Sequence, residues 1–296
     1  SQLTGNLLLL LAGMAALGSL ATNILLPDFP DMAGELGTSV KDLSATLASF
    51  FVAFAVGQLF VGPLSDRFGR KWLVMSGLTV FVAGSVLCAL AGSLSQLIVG
   101  RIVQALGVCA TSVLSRAIAR DLFAGEALAR ALSLIMVAMA AAPGFSPLLG
   151  GALNTVLGWR STFGVVALLA VLLGMRYWSQ LGETHGADKR APLSIAAILN
   201  TYVQLLRDRR FIAPALSVSL VIGSLYMFFS MAPAILMTGF GFAPLGLSLF
   251  FASTVFVVFG AGILAPKLAH RWGQIRAAWA GILIALAGSM ALLLGW

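Results

Sequence analysis

Long uninterrupted apolar runs are the feature of this sequence that most limits its fold. Each run is about 20 residues long, the length that an α-helix needs to cross ~30 Å of hydrocarbon. The 296-residue sequence is 60% hydrophobic and only 9% charged, which is too little charge for the surface of a soluble domain. Because the runs are continuous rather than alternating, we predict an all-α integral membrane protein and not a β-barrel. The predicted spans are 5–27, 43–61, 72–92, 97–119, 131–153, 161–180, 211–237, 245–266 and 277–296.

Lysine and arginine are distributed unequally between the two sets of loops. Most of them fall on one predicted side of the membrane, whereas the acids of the other side are Asp28, Asp31, Glu35 and Asp42. Because basic loops stay in the cytoplasm, this asymmetry places the N-terminus on the cytoplasmic side of the cell inner (plasma) membrane. Topology thus explains the net charge of +8. The basic residues are scattered over short loops, so we expect no nucleic acid as a partner.

The order of the spans indicates two helical bundles. Six predicted spans precede a polar stretch and three follow it, so we predict an N-terminal six-helix bundle at 1–180, a cytoplasmic linker at 181–210 and a partial second bundle at 211–296. The linker sequence is compatible both with a membrane-surface helix at Leu193–Leu206 and with a solvated connection. Pro266–Gly273 resembles Gly62–Gly69, and such weak internal similarity is typical of transporters built from two related bundles.

A glycine-framed basic segment separates the second and third predicted spans. Residues 62–71 read Gly-Pro-Leu-Ser-Asp-Arg-Phe-Gly-Arg-Lys, and three more stretches accompany them: Arg101–Gly107, Ser115–Phe123 and Pro143–Gly151. On these residues the chain resembles the major facilitator superfamily, and within it the drug–proton antiporters of the Bcr/CflA type, without the last three spans. The resemblance implies a major facilitator fold, here with an incomplete second bundle of three helices.

The resemblance also implies two sets of functional residues. In this family the segment after the second span latches the two bundles together on the cytoplasmic side, which implies a conformational gate at Gly62, Asp66, Arg67, Gly69, Arg70 and Lys71. A simple topogenic turn is the alternative. The antiporter motif of the fifth span implies helix bending and a seal against proton leak at Pro143, Gly144, Pro147, Gly150 and Gly151. Ordinary packing of small residues is the alternative there.

A membrane-embedded arginine is the predicted centre of proton coupling. Burial of Arg101 in the fourth span costs at least ~2.5 kcal/mol, so we expect it near Asn23 and Asp28 at the outer end of the first span. An acid beside an arginine stays ionised until substrate or a conformational change intervenes. Asn23 stands where the family commonly has an acid, so coupling would depend on Asp28 or Asp31, or be absent. The alternatives are an Arg101 that extends to the outer interface and an Asp28 that is an exposed helix cap.

The predicted substrate cavity lies between the bundles and uses spans 1, 4, 5, 7 and 8. We assign to it Asn23, Gln104, Met139, Tyr226 and Phe229. Methionine and aromatic side chains suit variable, greasy ligands. The leading hypothesis is a secondary active transporter that exports small amphipathic, drug-like compounds in exchange for protons by alternating access. Two alternatives stay open: a proton-independent facilitator or narrow metabolite exporter, and an incomplete membrane fragment without transport activity.

Signals for an enzyme are absent from the sequence. There is no Walker loop, no dinucleotide-binding turn, no pair of carboxylates within a span and no histidine cluster. We therefore expect no catalytic residues, no cofactor and no metal. The expected partners are a small amphipathic substrate, protons and membrane lipid, and we expect a monomer.

Overall fold

The computed structural model describes residues 5–186, 190 and 195–294, and every regular element in these ranges is helical. The prediction of an all-α protein is confirmed. A 3₁₀ turn at Leu26–Asp28 follows the first helix, and a π-helical segment at Ala234–Gly239 follows the ninth. The α-helices are α1 (Gly5–Asn23), α2 (Phe29–Leu36), α3 (Val40–Phe68), α4 (Arg70–Ala89), α5 (Leu94–Leu122), α6 (Gly125–Leu157), α7 (Arg160–Gln180), α8 (Ile195–Arg207), α9 (Arg209–Pro233), α10 (Pro244–Trp272) and α11 (Gln274–Leu294).

Seven helical segments in the described ranges are long and apolar enough to cross a membrane. The eighth and ninth predicted spans fall on α10 and α11, whose described apolar stretches, Leu245–Thr254 and Ile275–Ala291, are shorter. The seven segments overlap the first seven predicted spans and are Gly5–Leu36, Val40–Phe68, Arg70–Ala89, Leu94–Leu122, Gly125–Leu157, Arg160–Gln180 and Arg209–Phe228.

Several helices extend beyond the predicted spans because local hydrogen bonds, rather than hydrophobicity, set their ends. Helix α3 begins three residues before the predicted span, after Ser39, whose hydroxyl accepts a hydrogen bond from the backbone nitrogen of Asp42 at 3.0 Å. Helix α5 begins in the same way after Ser93, which accepts from the backbone nitrogen of Gln96. Serine is a preferred residue at this capping position.

The predicted span boundaries at residues 61 and 72 are wrong, because most of the basic segment between them is helical. Helix α3 continues through Pro63 to Phe68, and α4 begins at Arg70, so Gly69 alone separates the two helices. Gly69 has a φ of +93°, a backbone conformation that residues with a Cβ rarely adopt. The basic segment is therefore the meeting point of two helix ends, which brings the cations of both ends together.

Small residues allow helices of the first half of the chain to approach closely. The main packed pairs are α4 with α5, α3 with α5, α1 with α6, and α4 with α7. A Cβ on Gly84 would lie 2.3 Å from the backbone nitrogen of Gln104, and a Cβ on Gly107 would lie 2.3 Å from that of Phe81. Helices α4 and α5 therefore pack backbone against backbone, as small residues permit in membrane bundles.

By compactness the chain divides into two units, Ser1–Ala252 and Ser253–Trp296. The first holds α1 to α9 and the beginning of α10, and the second holds the rest of α10 with α11. The bundle boundaries at 1–180, 181–210 and 211–296 stay a prediction. The linker contains the helix α8, and its placement on the membrane surface also stays a prediction.

Candidate functional site

A cavity of about 770 Å³ lies within the first unit, between helices α1, α3, α5, α6 and α9. Among the described residues, its walls are mainly aromatic, aliphatic and methionine side chains, with a few hydroxyl groups and one amide. The lining residues are Ala15, Gly18, Ser19, Thr22, Ala48, Phe50, Phe51, Phe54, Ala55, Gln58, Ser112, Met139, Val218, Ser219, Ile222, Gly223, Tyr226, Met227 and Met231.

The cavity contains some of the residues that we assigned to it and not others. Met139 and Tyr226 are among the lining residues, whereas Asn23 and Gln104 are not. The side chain of Phe229 lies outside the described part of the structure.

Helix α3 supplies an aromatic wall that was not among the predicted cavity residues. The rings of Phe50 and Phe54 are stacked at a centroid distance of 6.1 Å, and the ring of Phe51 lies 4.7 Å from that of Tyr226 on α9. The sequence run Ser49–Phe54 could have indicated this wall, because aromatic residues at positions i and i+4 share one helix face.

Arg101 is fully buried behind this wall, with an exposed fraction of 0%. Its guanidinium carbon lies 4.2 Å from the centroid of the Phe50 ring. Its Nη1 donates to the backbone oxygen of Ala21 at 3.1 Å and to the side-chain oxygen of Gln104, whose amide nitrogen donates to Ser85 Oγ at 2.8 Å. Its Nε and Nη2 atoms have no hydrogen-bond partner among the described residues. The alternative of an arginine that extends to the outer interface does not describe this conformation.

The expected contact between Arg101 and Asp28 is not formed. Within the described residues, no carboxylate oxygen lies within 4.0 Å of the Arg101 guanidinium nitrogens. Arg101 reaches α1 at Ala21, whereas Asp28 lies seven residues later, in the turn that follows α1. Asn23 is also buried, and its amide nitrogen donates to the backbone oxygen of Ser19 at 2.7 Å, within its own helix. The three predicted coupling residues are thus buried but do not bond to one another.

Asp28 is a buried acid and not the exposed cap that was the alternative. Its exposed fraction is 0%, and neither carboxyl oxygen has a hydrogen-bond partner in the described ranges. The turn that carries it packs against α6. A Cβ on Gly150 would lie 1.8 Å from the backbone oxygen of Ile24, and a Cβ on Gly151 would lie 3.6 Å from Pro27 Cβ. Small residues of the antiporter motif therefore pack closely beside the segment that holds Asp28.

Helix α6 remains continuous across the antiporter motif. It runs from Gly125 to Leu157 with Pro143 and Pro147 inside it. The backbone oxygen of Pro147 accepts a hydrogen bond from Ser248 Oγ of α10 at 3.1 Å. Gly144 is buried within the same helix. The expected bending of this helix stays a prediction.

The basic segment between α3 and α4 is held by acids from two other parts of the chain. Arg70 forms ion pairs with Asp66 Oδ1 at 2.6 Å and with Asp121 Oδ2, at the end of α5, at 3.3 Å. Glu183, which follows α7, accepts hydrogen bonds from the backbone nitrogens of Arg70 at 2.8 Å and Lys71 at 3.3 Å. A carboxylate at a helix N-terminus satisfies free N–H groups and opposes the positive end of the helix dipole.

Glu183 was not among the predicted gate residues. A Cβ on Gly69 would lie 2.2 Å from Glu183 Oε2, so the glycine leaves the space in which the carboxylate lies. Among the other gate residues, Arg67 lies over the ring of Phe68 and Lys71 over that of Trp178, and Gly62 has open space beside it. Glu183 is the first acidic residue after the sixth predicted span, and this position was the only indication that the sequence offered for its role.

Comparison with known proteins identifies the chain's family. Residues 11–295 match the Major Facilitator Superfamily. The chain belongs to this superfamily. Membership of a transporter family confirms the predictions of the family resemblance, of a membrane protein and of a protein that is not an enzyme.

Three curated relatives of this superfamily member are informative. It is 35% identical to the uncharacterized MFS-type transporter YdgK of Bacillus subtilis (strain 168) over 244 residues, which are 82% of the chain and 61% of the relative. It is 31% identical to a chloramphenicol resistance protein of Pseudomonas aeruginosa, over 96% of the chain and 67% of the relative. It is 31% identical to multidrug resistance protein D of Escherichia coli (strain K12), over 70% of the chain and 51% of the relative. The chain thus spans from about half to two thirds of the length of these relatives.

Solved structures share the fold at low sequence identity. A bacterial homolog of the human lysosomal transporter Spinster, in an inward-facing and occupied conformation, matches with a TM-score of 0.74 and 19% identity, over 96% of this chain and 66% of that chain. A D-xylose–proton symporter matches with a TM-score of 0.67 and 16% identity, over 90% of this chain and 69% of that chain. These likenesses confirm the major facilitator fold.

Proposed function

We propose that this protein is a secondary active transporter that exports small amphipathic compounds in exchange for protons, by alternating access. The observation that carries the proposal is the cavity of about 770 Å³, with the buried Arg101 packed against one of its wall residues, Phe50. The names of two relatives, a chloramphenicol resistance protein and a multidrug resistance protein, support drug-like substrates. We place the protein in the cell inner membrane as a monomer, in contact with lipid and with its N-terminus in the cytoplasm.

The composition of the cavity walls supports amphipathic substrates. Phe50, Phe51 and Phe54 offer flat apolar surfaces, and Met139 and Met227 offer side chains that adjust to ligands of different shape. Hydroxyl and amide groups at a few positions can bind polar groups of the substrate. Pockets of this volume and composition are typical of small-molecule sites.

Asp28 is the group to which we assign the proton. A charged carboxylate without hydrogen-bond donors is costly in an apolar environment, whereas its neutral form is much less so. Protonation of Asp28 therefore changes the free energy of the turn that packs against α6. A conformation that gives this carboxyl access to water would favour release of the proton, which links proton movement to alternating access.

The test uses purified protein in lipid vesicles with an imposed pH gradient and radiolabelled chloramphenicol as the substrate. We expect a gradient directed to exchange protons for substrate to raise the initial rate of uptake. Asp28→Asn is expected to remove at least about 90% of this stimulation, a tenfold effect that corresponds to ~1.4 kcal/mol. Asp31→Asn is the matched control, since Asp31 is exposed and accepts a hydrogen bond from Asn154. Transport that ignores the gradient in the unmodified protein would contradict the coupling.

A proton-independent facilitator is the second candidate function. Asn23 favours it, because asparagine does not titrate and its amide is bonded to Ser19 of its own helix. In that case substrate would equilibrate across the vesicle membrane at a rate independent of the pH gradient. Asp28→Asn would then leave the rate unchanged.

A further inference from the structure

The part of the cavity lining that the structure describes is polar in places but carries no charged group. The described lining residues include no lysine, arginine, histidine, aspartate or glutamate. The sequence also limits what other side chains of these helices can supply, because it contains no Asp or Glu at 1–27, 43–65, 67–120, 127–182 or 209–296. The helix segments that surround the cavity therefore have no carboxylate to offer a positively charged ligand.

Two positively charged side chains contact residues that line the cavity. The Arg101 guanidinium stacks on Phe50, with its carbon 4.2 Å from the ring centroid. Nη1 of Arg116, on α5, lies 3.8 Å from the sulfur of Met139 on α6. Both Phe50 and Met139 line the cavity. Both contacts place a positive charge next to the lining of the cavity.

This arrangement disfavours a cationic ligand for two physical reasons. Fixed positive charges repel a like charge across a few ångströms of low-dielectric protein far more strongly than they do in water. The ring of Phe50 also already has a cation on one face, so its electron density is drawn toward Arg101 and is less available for a cation–π contact on the cavity side. Neither effect opposes an uncharged ligand.

The polar groups of the wall favour a ligand that accepts hydrogen bonds. The side-chain amide of Gln58 forms no hydrogen bond with the described residues and lines the cavity next to the aromatic wall of α3. The hydroxyl groups of Ser19, Ser112 and Ser219 are on the same lining surface. Amide and hydroxyl N–H and O–H groups can donate to a carbonyl or a similar oxygen of the ligand.

We propose that this cavity selects uncharged aromatic compounds that accept hydrogen bonds, and rejects organic cations of the same size. The proposal rests on the proposed function, and names the class of substrate that the same cavity takes. Phe51 and Phe54 supply the aromatic contact, Gln58 donates to the acceptor oxygen, and Arg101 and Arg116 set the sign of the potential.

The test compares two probes of nearly equal shape. Triphenylphosphine oxide is uncharged and accepts hydrogen bonds at its oxygen, whereas methyltriphenylphosphonium is a permanent cation. Binding of each probe to the full chain in nanodiscs is measured by equilibrium dialysis, and empty nanodiscs correct for partition into lipid. We expect the Kd of the oxide to be lower by at least about tenfold. Equal or tighter binding of the phosphonium overturns the selection by charge.

Substitutions at Gln58 test whether the difference in affinity between the two probes arises in this cavity. Gln58→Glu adds a carboxylate to the wall and is expected to lower the Kd of the phosphonium at least about fivefold. Gln58→Met, of similar size and without charge, should leave the phosphonium affinity unchanged and weaken binding of the oxide. A Gln58→Glu variant that binds the phosphonium no better than the unmodified protein does overturns the assignment to this cavity.

Measurement of transport together with binding distinguishes a failure of the selection by charge from a failure of the proposed transport function. If chloramphenicol still moves in response to the pH gradient while both probes bind equally, only the selection by charge fails. If neither probe binds and chloramphenicol does not move, the proposed function fails with it.

Discussion

Pro63 removes a hydrogen-bond donor from α3, and Tyr202 supplies one in its place. Proline has no N–H group, so the backbone oxygen of Leu59, four residues earlier, loses its helical partner. The hydroxyl of Tyr202, on α8, donates to this oxygen. A side chain of the predicted linker therefore compensates for a proline in a membrane-spanning helix, at the beginning of the basic segment.

Tyr202→Phe is expected to lower the free energy of unfolding by about 1 kcal/mol, because it leaves the Leu59 oxygen without a donor. In a Pro63→Ala background the helix regains its own N–H donor, so the same substitution should have almost no effect. Thermal unfolding of the four proteins of this cycle in mild detergent measures the coupling. Equal losses in both backgrounds would show that Tyr202 does not compensate for Pro63.

The packing of whole helices depends on where each glycine faces. Gly84 of α4 faces the backbone of α5, and its added Cβ would lie 2.3 Å from the nitrogen of Gln104. Gly164 of α7 is also within a helix, but no atom lies within 4 Å of the position of its added Cβ. Both glycines have the same helix propensity, so a comparison of the two isolates the effect of packing.

Gly84→Ala is expected to lower the free energy of unfolding by about 1–3 kcal/mol, because α4 and α5 must separate to admit the methyl group. Gly164→Ala should raise it slightly, by up to about 1 kcal/mol, since alanine is the better helix former. The thermal midpoint of each variant in detergent measures the difference. If both variants shift in the same direction, α4 and α5 do not pack through this glycine.

The orientation of the whole molecule follows from the charges at its helix ends. Helix α3 carries Lys41 at its first turn and Arg67 at its last, and the basic loops of the chain lie on the side of Arg67. The positive-inside rule places this side in the cytoplasm and the side of Lys41 outside. Family membership and the fold leave this orientation as a prediction.

Single-cysteine labelling of intact cells tests the orientation. Native Cys88 and Cys109 are buried, so introduced cysteines provide the signal. A membrane-impermeant maleimide is expected to label Lys41→Cys at least about tenfold faster than Glu126→Cys, because only the former faces the outside. Both positions are exposed, and disruption of the membrane should make their labelling similar. Faster labelling of Glu126→Cys in intact cells would reverse the predicted topology.

The sequence by itself determined the class of fold and the approximate positions of the first seven membrane helices. A run of apolar residues satisfies its own backbone in a helix and needs only its own length to match the membrane, so this information is local. The family motifs likewise pointed to the basic segment and to Arg101 from adjacent residues alone. The sequence also showed that position 23, where the family commonly has an acid, holds an asparagine that does not titrate.

The tertiary structure decided which of these residues meet. Arg101 contacts Ala21, which is 80 positions away, and Glu183 caps Arg70 from 113 positions away. Such contacts depend on how each helix is rotated and on how closely glycines let it approach its neighbour, which a single span does not specify. For the same reason Arg101 could be predicted to be buried, whereas its stacking on Phe50 and its separation from Asp28 could not.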